Sequence, residues 1–348
     1  MPKYYTRVCN FSFGKTASEK IKNKKSLPLH GNQLVSFESI ELLSKTSKKI
    51  ISINQINNLK AEIKKKVKKD IKVIVKKKKF KGLNLNNPPI LMGVLNLTPD
   101  SFSDGGLYNN IQNGYKHVKR LLSEGCEIID VGGESTRPGS KEIKQETEWK
   151  RISGVLRKIK KLNKFISIDT RKSMVMKKSL DYKINLINDV SGLSHDSKTI
   201  NLLKKSNCPF VIHHMKGAPE YMQKNPKYKN VLLEIYDFFE KKIEYLRKIG
   251  IHHDNIILDP GIGFGKDLKH NITILHNISI FHSLGFPVML GISRKKFIKD
   301  ISGINDSKKR LGGTISSSLS AMMQGVQILR VHDANEIKQA IKVFKSLN

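Results

Sequence analysis

Polar side chains suited to chemistry lie at or just past the ends of eight short apolar runs in this chain. They are Asn96, Asp130, Asp169, Asn188, His214, Asp259, the triplet Ser293-Arg294-Lys295, and Arg330 with His332. Convergent carboxylates and an amide can hydrogen-bond along the edge of a flat heterocycle such as an aminopyrimidine. The basic side chains Lys295, Arg330 and His332, together with Asn96, suit a polyphosphate leaving group and a divalent cation. Asp and Asn also cap helices, but capping alone would not require four such groups to converge.

Two long polar loops follow the first two apolar runs. The first, 92–106, contains Asp100 and Phe102, and the second, 130–139, contains Thr136, Arg137 and Pro138. Ordinary surface loops held by turns and helix caps can have a similar composition. Long, glycine-rich loops that follow inward-facing polar residues are usually functional, and here there are two of them. We therefore predict that both form part of a site.

The glycine-rich stretch 261–266 is similar to a nucleotide-binding loop but does not fit one. Pro260 stands where a Walker A motif needs glycine, and Asp267 where it needs Ser or Thr. Lys266 stands where the dinucleotide fingerprint needs glycine. We predict instead that Gly263 lets the backbone approach a flat ligand beneath Phe264.

Three histidines lie near these candidate residues, and the others are predicted to lie at the surface. His213 is equally compatible with a core or capping position and with contact to a ligand. His214 and His332 follow strand ends directly.

The elements that must position these residues can be read from periodicity. Short apolar runs bounded by turn residues are typical of buried strands. They lie at 91–97, 128–131, 165–168, 184–187, 209–212, 256–258, 287–292 and 327–331. Helical patterns lie between them, which predicts an α/β fold, a (β/α)8 TIM barrel with one catalytic face. A doubly wound open sheet is the alternative, but eight units without an obvious switch point favour closure.

The composition argues against several classes of protein. No apolar stretch approaches the about 20 residues that a transmembrane helix needs, and the N-terminus lacks the apolar region of a signal peptide. Cys9, Cys126 and Cys208 are far apart in sequence, which favours neither a disulfide framework nor a zinc site. We therefore expect a cytoplasmic protein without a membrane partner.

The net charge of +34 raises the hypothesis that the chain binds nucleic acid. Of its 64 basic residues only 10 are Arg, whereas proteins that read phosphates and bases favour Arg. This favours a general compositional bias towards lysine. We expect weak, salt-sensitive binding and no specific recognition of nucleic acid.

Residues 1–88 form a small Lys-rich extension, and residues 89–348 form the barrel. Apolar runs that could form short strands or a helix lie at 4–13, 34–43 and 50–59. The stretch 64–81 is dense in lysine and reads as a solvated amphipathic helix or strand. Asn and Pro residues at 84–89 mark the boundary, because the residue before Pro avoids helix. No candidate site residue lies in the extension, so we expect it to be dispensable for chemistry.

Eight motifs make the chain resemble the dihydropteroate synthases from Pro89 to the C-terminus. In family order they are M-G-V-L-N-L-T-P-D-S-F-S-D-G-G, D-V-G-G-E-S-T-R-P-G, I-D-T, N-D-V, H-M-K-G, D-P-G-I-G-F-G-K, S-R-K and R-V-H-D. Any one is weak evidence, but eight in order are specific. The resemblance implies a transferase of folate biosynthesis. Such an enzyme joins 6-hydroxymethyl-7,8-dihydropterin diphosphate to 4-aminobenzoate and gives 7,8-dihydropteroate and diphosphate.

The resemblance also implies roles for particular side chains. Those expected to act in catalysis are Asp169, Lys295, Arg330, Asp100 and Arg137. Those expected to bind the substrates are Asn188, Asp259, Met215, Phe264, Gly263, Thr136, Pro138, Phe102, Ser293, His332 and Asp130. Asn96 is expected to bind Mg²⁺ on the diphosphate, and Arg330 to stack on the pterin and help bind the anion. Family members are usually homodimers, which implies a homodimer here.

Two residues depart from the family pattern, and two other functions stay open. Arg171 stands where smaller residues are common and is expected to add a charge at the rim of the site. Lys296 stands where serine is usual. It either contacts the aminobenzoate carboxylate or points to solvent while the helix backbone binds that anion. The alternatives are a pterin-dependent methyltransferase, which would not need the paired loops, and a Lys-rich nucleic-acid-binding protein.

Overall fold

The chain begins with an N-terminal unit of one antiparallel sheet and two helices. The structure, a computed structural model, describes residues 3–98, 111–137 and 139–347. The elements of the unit are β1 (Tyr5–Phe13), α1 (Gly14–Lys22), β2 (Leu27–Leu29), β3 (Asn32–Leu43), β4 (Lys48–Ser52) and α2 (Ala61–Val75). Strands β1, β2 and β4 all pair with β3. The lysine-dense stretch is therefore helical as far as Val75.

Helix α2 is amphipathic, and its apolar side completes the core of the unit. Val67 and Ile74 are fully buried and belong to the same cluster as Phe37 and Ile40 of β3. Their seven-residue spacing places them on one face of the helix, and the intervening lysines lie on the other faces. The sequence pattern allowed strands or a helix here, and the chain forms both.

The N-terminal unit packs against the barrel part of the chain through the 3-10 helix Ile278–Leu284. The ring of Tyr5 meets that of Tyr236 edge-on, with centroids 5.1 Å apart. The hydroxyl of Ser279 donates a hydrogen bond to the carbonyl of Val8 at 2.8 Å. Tyr5 is only 1% exposed and belongs to the main hydrophobic core of the barrel. The unit is thus attached by apolar packing as well as by polar contacts.

Eight strands and nine helices follow within the described residues, from Ile90 to Leu347. The strands are β5 (Ile90–Asn96), β6 (Ile128–Gly132), β7 (Phe165–Asp169), β8 (Leu186–Asp189), β9 (Phe210–His213), β10 (Ile256–Asp259), β11 (Met289–Gly291) and β12 (Ile328–Val331). The helices are α3 (Ile111–Ser123), α4 (Gln145–Ile159), α5 (Ser173–Leu180), α6 (Thr199–Ser206), α7 (Val231–Lys248), α8 (Leu268–His276), α9 (Lys296–Ser302), α10 (Leu311–Met322) and α11 (Ala334–Leu347).

The eight strands form one parallel sheet that closes on itself. Neighbours run in the order β10-β9-β8-β7-β6-β5-β12-β11, and a bridge between Leu258 and Val288 joins the two ends. The predicted (β/α)8 barrel is confirmed, and the open doubly wound alternative is wrong. The predicted strand limits shift by no more than two residues, as at the starts of β8 and β11. No described helix is long and apolar enough to cross a membrane.

The linker between α2 and β5 closes the N-terminal end of the barrel. Phe80 is 6% exposed and packs with residues that point into the bottom of the barrel. These are Met92, Ile128, Leu186, Val211, Ile257, Met289 and Ile328. This packing contributes to stability and not to catalysis, because the N-terminal face of a TIM barrel carries no catalytic groups.

The prediction that the remaining histidines lie at the surface is wrong for two of them. His117 is on the buried face of α3, where its Nε2 lies 3.3 Å from the carbonyl of Val94. His282 is fully buried, with Nε2 2.7 Å from the carbonyl of Gln324 and its ring 4.5 Å from that of His30. Each of these buried imidazoles thus has a backbone carbonyl as its hydrogen-bond partner.

Candidate active site

The C-terminal ends of the barrel strands bring the predicted polar residues onto one rim. These residues are Asp130 of β6, Asp169 of β7, Asn188 of β8, Asp259 of β10 and Arg330 of β12. The parallel register places Gly132 beside Asp169 and Asp169 beside Asn188. The strands alone therefore bring these side chains together, because the C-terminal ends of all eight strands face the same side.

Arg330 lies at the centre of this group. Its Nε donates to Asp130 Oδ2 at 2.6 Å, and its Nη2 donates to Asp169 Oδ2 at 2.7 Å. Asn188 Nδ2 also donates to Asp130 Oδ2, at 3.0 Å. The two carboxylate side chains are 0% and 5% exposed, and that of Arg330 is 20% exposed. Such buried charges need this pairing, because desolvation would otherwise be expensive.

Three oxygen atoms of the same group are buried without a hydrogen-bond partner among the described residues. They are Asp130 Oδ1, Asp169 Oδ1 and Asn188 Oδ1. Most buried polar atoms have partners, and each exception calls for an explanation. All three atoms are acceptors, so they suit a ligand that presents several N–H groups along one edge.

Burial also shifts the ionisation of the site. It raises the pKa of Asp169 to about 7, against the opposing influence of Arg330. It raises the pKa of Asp259 and lowers the pKa of Lys295 to about 8, although the two groups stabilise each other's charge. Groups poised near neutral pH in a cleft are typical of functional sites.

Lys295 lies between the strand ends and the glycine-rich loop. Its ammonium donates to the carbonyl of Ile262 and lies 4.4 Å from the ring centroid of Phe264. Ser293 Oγ accepts from the backbone N–H of His332 at 3.3 Å and lies 3.1 Å from Nδ1 of that histidine. The predicted residues Lys295, Phe264, Ser293 and His332 thus lie on one side of the rim.

The middle residue of the Ser-Arg-Lys triplet has a structural position. Arg294 adopts a left-handed backbone with φ of 60° and pairs with Asp333, Nε to Oδ2 at 3.0 Å. This pairing leaves Ser293 and Lys295 to face the site from either side of the turn.

Lys266 links two loops over the pocket, a role that the sequence pattern did not reveal. Its fully buried Nζ lies 3.0 Å from His214 Nδ1 and donates to the carbonyl of Phe264 at 2.9 Å. Gly265, with φ of 62°, lies where a Cβ would come within 2.3 Å of the Lys216 carbonyl. The two loops therefore lie backbone against backbone.

His213 has a structural position, and Met215 lies at the start of the loop after β9. Nδ1 of His213 is 3.0 Å from the carbonyl of Val190, and its ring meets Phe264 edge-on at 4.5 Å. This arrangement orients Phe264. Met215 is half-buried beside His214.

The second loop is partly described, and one expectation about its neighbour is wrong. Thr136 and Arg137 are half-buried, and Arg137 is close enough to contribute to the lowered pKa of His332, after burial and other cations. Arg171 does not add a charge at the rim. It is 7% exposed and its Nε pairs with Glu134 Oε2 at 3.0 Å, because a carboxylate is available beneath the loop.

Three predicted site residues lie outside the described part of the chain: Asp100, Phe102 and Pro138.

The sequence did not predict two buried acids near the site. Asp189 is fully buried, and its Oδ1 accepts from the backbone and hydroxyl of Ser191. The second is Glu134, which the sequence showed only as part of the motif at 130–139. Two consecutive cations shortly after a strand-end acid, Arg171 and Lys172, could have indicated a buried acidic partner.

Asn96 is suited to a metal ion that binds together with an anionic substrate. It is less suited to a preformed metal site built from several protein ligands. It is half-buried at the end of β5, and its Oδ1 lies 3.5 Å from where a Cβ on Gly132 would be. No group of three or more His, Cys, Asp or Glu in the described residues could hold a metal ion. Mg²⁺ commonly uses one or two protein oxygens together with phosphate oxygens and water. The donors present fit that mode.

Lys296 points away from the rim. Its side chain is 75% exposed and pairs with Asp300 one turn later in α9, at 2.9 Å. This position favours the alternative in which the lysine faces solvent.

Comparison with known proteins places the chain in a family. Residues 92–332 match the pterin-binding enzymes. The chain is 39% identical to the dihydropteroate synthase of Neisseria meningitidis serogroup B, over 74% of this chain and 93% of that protein. Identity to the Escherichia coli K12 enzyme is 38%, over 76% and 93%.

Solved structures agree. The dihydropteroate synthase of Yersinia pestis in a sulfonamide complex has a TM-score of 0.74 at 36% identity, covering 77% of this chain and 98% of that one. That of Xanthomonas albilineans with 4-aminobenzoic acid has 0.71 at 33%, covering 76% and 94%. With the barrel and its rim of acids in place, the chain belongs to the dihydropteroate synthase family of pterin-binding enzymes.

Proposed function

We propose that this chain condenses 6-hydroxymethyl-7,8-dihydropterin diphosphate with 4-aminobenzoate to give 7,8-dihydropteroate and diphosphate, in folate biosynthesis. The observation that carries the proposal is a set of three buried acceptors, Asp130 Oδ1, Asp169 Oδ1 and Asn188 Oδ1, for which the described part of the chain provides no hydrogen-bond partner. A pterin presents amino and ring N–H donors on one edge and so complements them. Asp259 adds a fourth buried acceptor group on the same rim.

Cations beside these buried acceptors support binding of the diphosphate. Arg330 and Lys295 carry charge at the rim, and His332 adds an N–H donor. Asn96 would hold Mg²⁺, which when bound neutralises phosphate charge. Preorganised donors of this kind stabilise charge that develops on leaving oxygens.

The reaction follows from this charge distribution. The bond between the pterin methylene and the diphosphate oxygen breaks first, and the electron pair leaves with diphosphate. The electron-rich pterin and the neighbouring carboxylates Asp169 and Asp259 stabilise the methylene cation. The aminobenzoate nitrogen then forms the new C–N bond and loses a proton. The two long loops would exclude water, which would otherwise capture the cation.

Residues near His332 and the glycine-rich loop support a position for the aminobenzoate. Phe264 offers an aromatic face, and the position of Arg137 near His332 suits a carboxylate. Asp100, Phe102, Thr136 and Pro138 are proposed to complete the pocket. The Xanthomonas relative that binds 4-aminobenzoic acid supports this substrate.

The alternative functions are weaker. The relatives described above are synthases, and none of them supports the methyltransferase. Lysine-rich surfaces alone support only weak binding to nucleic acid. Family resemblance is the support for a homodimer and for a cytoplasmic enzyme.

Release of diphosphate tests the proposal. The purified protein is incubated with the pterin diphosphate and Mg²⁺, with 4-aminobenzoate, with benzoate, or with neither. Benzoate is the matched control, because it keeps the carboxylate and lacks the nucleophilic amine. We expect 7,8-dihydropteroate only with 4-aminobenzoate, in equal amount to the diphosphate released above the benzoate control. Absence of that product would reject the proposed function.

A further inference from the structure

A buried ion-pair cluster lies beneath the second loop and takes no part in the reaction described above. It consists of Glu134 from the loop, Glu148 from α4, and Arg171 and Lys172 from the segment after β7. All four are between 0% and 7% exposed. We call these four residues the clamp. Two acids and two bases balance in charge, which is the condition under which buried charges are tolerated.

Glu134 uses both carboxylate oxygens within the clamp. Oε2 accepts from Arg171 Nε at 3.0 Å, and Oε1 accepts from Lys172 Nζ at 2.7 Å. Oε1 also accepts from the backbone N–H of Ile143 at 3.0 Å. Because Glu134 and Ile143 flank residues 135–142, this side chain ties together the two ends of that stretch, which continues the second loop towards α4.

Lys172 attaches the loop to the body of the barrel. Its three N–H groups reach Glu134, Glu148 Oε2 at 3.0 Å and the carbonyl of Ile143 at 2.6 Å. An ammonium has three donors, so all of them are used. Burial alone would raise the pKa of Glu134, but hydrogen bonds from Arg171 and Lys172 lower it, so this carboxylate is ionised at neutral pH.

The loop that the clamp holds carries substrate-binding candidates. Thr136 and Arg137 lie between its two tied ends. Ser140 Oγ lies 2.7 Å from the carbonyl oxygens of both Ser135 and Arg137, close enough to donate its one proton to either. The clamp cations also follow Asp169 by only two and three residues. The clamp is therefore separated from Asp169 by only one or two residues along the chain.

We propose that Glu134, through its pairs with Arg171 and Lys172, is a positioning residue that holds the second loop in the geometry that binds 4-aminobenzoate. This inference rests on the proposed function. Glu134 touches no reacting atom and acts through Thr136 and Arg137. Loss of the clamp should weaken aminobenzoate binding more than pterin binding, because the hydrogen bonds and ion pairs described for Asp130, Asn188 and Asp259 involve no clamp residue.

The test compares Glu134→Gln with Glu142→Gln. Both changes remove one negative charge from the same loop near the same two cations. Glu142 is the matched control because its side chain is 43% exposed and lies 3.7 Å from Arg171 and 4.0 Å from Lys172. Arg171→Ala is a milder second variant that leaves Lys172 on Glu134, in case Glu134→Gln folds poorly.

Two readouts are needed. In the ligand-free protein, hydrogen exchange of the backbone amides at 135–137 and 139–143 should be faster in Glu134→Gln than in wild type, with an intermediate rate for Arg171→Ala. In steady state, Glu134→Gln should raise the KM for 4-aminobenzoate about tenfold, since small displacements of positioning groups are costly. Its KM for the pterin diphosphate should stay within twofold of the wild-type value. For Glu142→Gln, the KM values for both substrates should stay within twofold of wild type.

The outcomes separate this inference from the proposed function. Unchanged exchange in Glu134→Gln overturns the clamp, whatever the activity. An unchanged aminobenzoate KM, or an equal rise in both KM values, overturns the positioning role. A wild-type protein that makes no dihydropteroate overturns the proposed function and with it the link to aminobenzoate, while exchange still decides the clamp.

Discussion

At the level of single residues, Arg330 pairs with two of the buried carboxylates of the site. It neutralises Asp130 and Asp169 in part, and Lys295 lies near Asp259. Three carboxylates thus face two cations across the rim. That excess of negative charge favours a substrate that donates hydrogen bonds and becomes cationic at its methylene during the reaction.

Replacing Asp169 or Lys295 should therefore reduce catalysis without unfolding the barrel. We expect Asp169→Asn and Lys295→Ala each to lower kcat/KM by about 10- to 150-fold. Each removes a charge-assisted contact worth about 1.5–3 kcal/mol. Lys296→Ser is the matched control, because its side chain faces solvent and pairs with Asp300. Near-normal turnover in either site variant, or a raised aminobenzoate KM in the control, would contradict these assignments.

The pH dependence of kcat/KM should be bell-shaped, with its maximum between about pH 7 and pH 8. Burial raises the pKa of Asp169 to about 7, so its carboxylate is lost to protonation as the pH falls below that value. Burial lowers the pKa of Lys295 to about 8, so its charge is lost as the pH rises above it. Profiles of kcat/KM report groups of the free enzyme. Lys295→Arg should flatten the alkaline limb, because Arg does not titrate there; an unchanged limb would exclude Lys295 as its source.

At the scale of elements, the glycine-rich loop depends on residues without a side chain. Gly265 has φ of 62°, and a Cβ there would lie 2.3 Å from the Lys216 carbonyl. We expect Gly265→Ala to destabilise the protein by at least about 1 kcal/mol, because both strain and a backbone clash are introduced. It should also weaken pterin binding, since Phe264 and Lys266 belong to the same loop.

A second glycine provides the control. Gly312 lies in α10, and nothing lies within 4 Å of where its Cβ would be. Gly312→Ala should stabilise the protein by about 0.4–1 kcal/mol by restricting the unfolded chain. Urea denaturation measures both variants. Equal midpoints for the two would show that the contact with Lys216 does not determine the loop.

Sequence predicted the strands well and the buried polar partners poorly. Strands β5 to β12 follow from short apolar runs, since periodicity is a local property of the chain. The acids at their ends follow from parallel topology, because that topology places C-terminal ends together. The pairing of Arg171 with Glu134 joins residues 37 positions apart, and only the packed loop shows it. The burial of Phe80 could not be predicted from the sequence either, because its packing partners come from seven different strands.

For the whole molecule, the two ends of the extension contribute differently to the barrel. Its first strand packs on Tyr236 and Ser279, and its linker places Phe80 in the barrel bottom. We expect a chain that starts at Lys76 to keep Phe80 and a chain that starts at Asn86 to lose it. Both should keep the KM values of the full chain in their folded fraction, because no site residue is removed.

Their stabilities should differ. Removing a buried Phe side chain costs about 3–5 kcal/mol, so the shorter chain should unfold at a clearly lower temperature than the chain that starts at Lys76. Thermal melts followed by circular dichroism measure this. If the two truncated chains melt together, Phe80 adds little. If either is folded but inactive, the extension contributes to the site.

The docking of the N-terminal unit on Ile278–Leu284 has a consequence for the order of synthesis. The ribosome makes the unit first, and its partner segment emerges roughly 200 residues later, about 10–40 s at usual elongation rates. During that interval Tyr5 and the rest of the docking face have no surface to cover them. The lysines of α2 give the early chain a high positive charge, and like charge keeps chains apart. For this reason we expect the extensions of different nascent chains not to associate with one another before the last third of the barrel has been made.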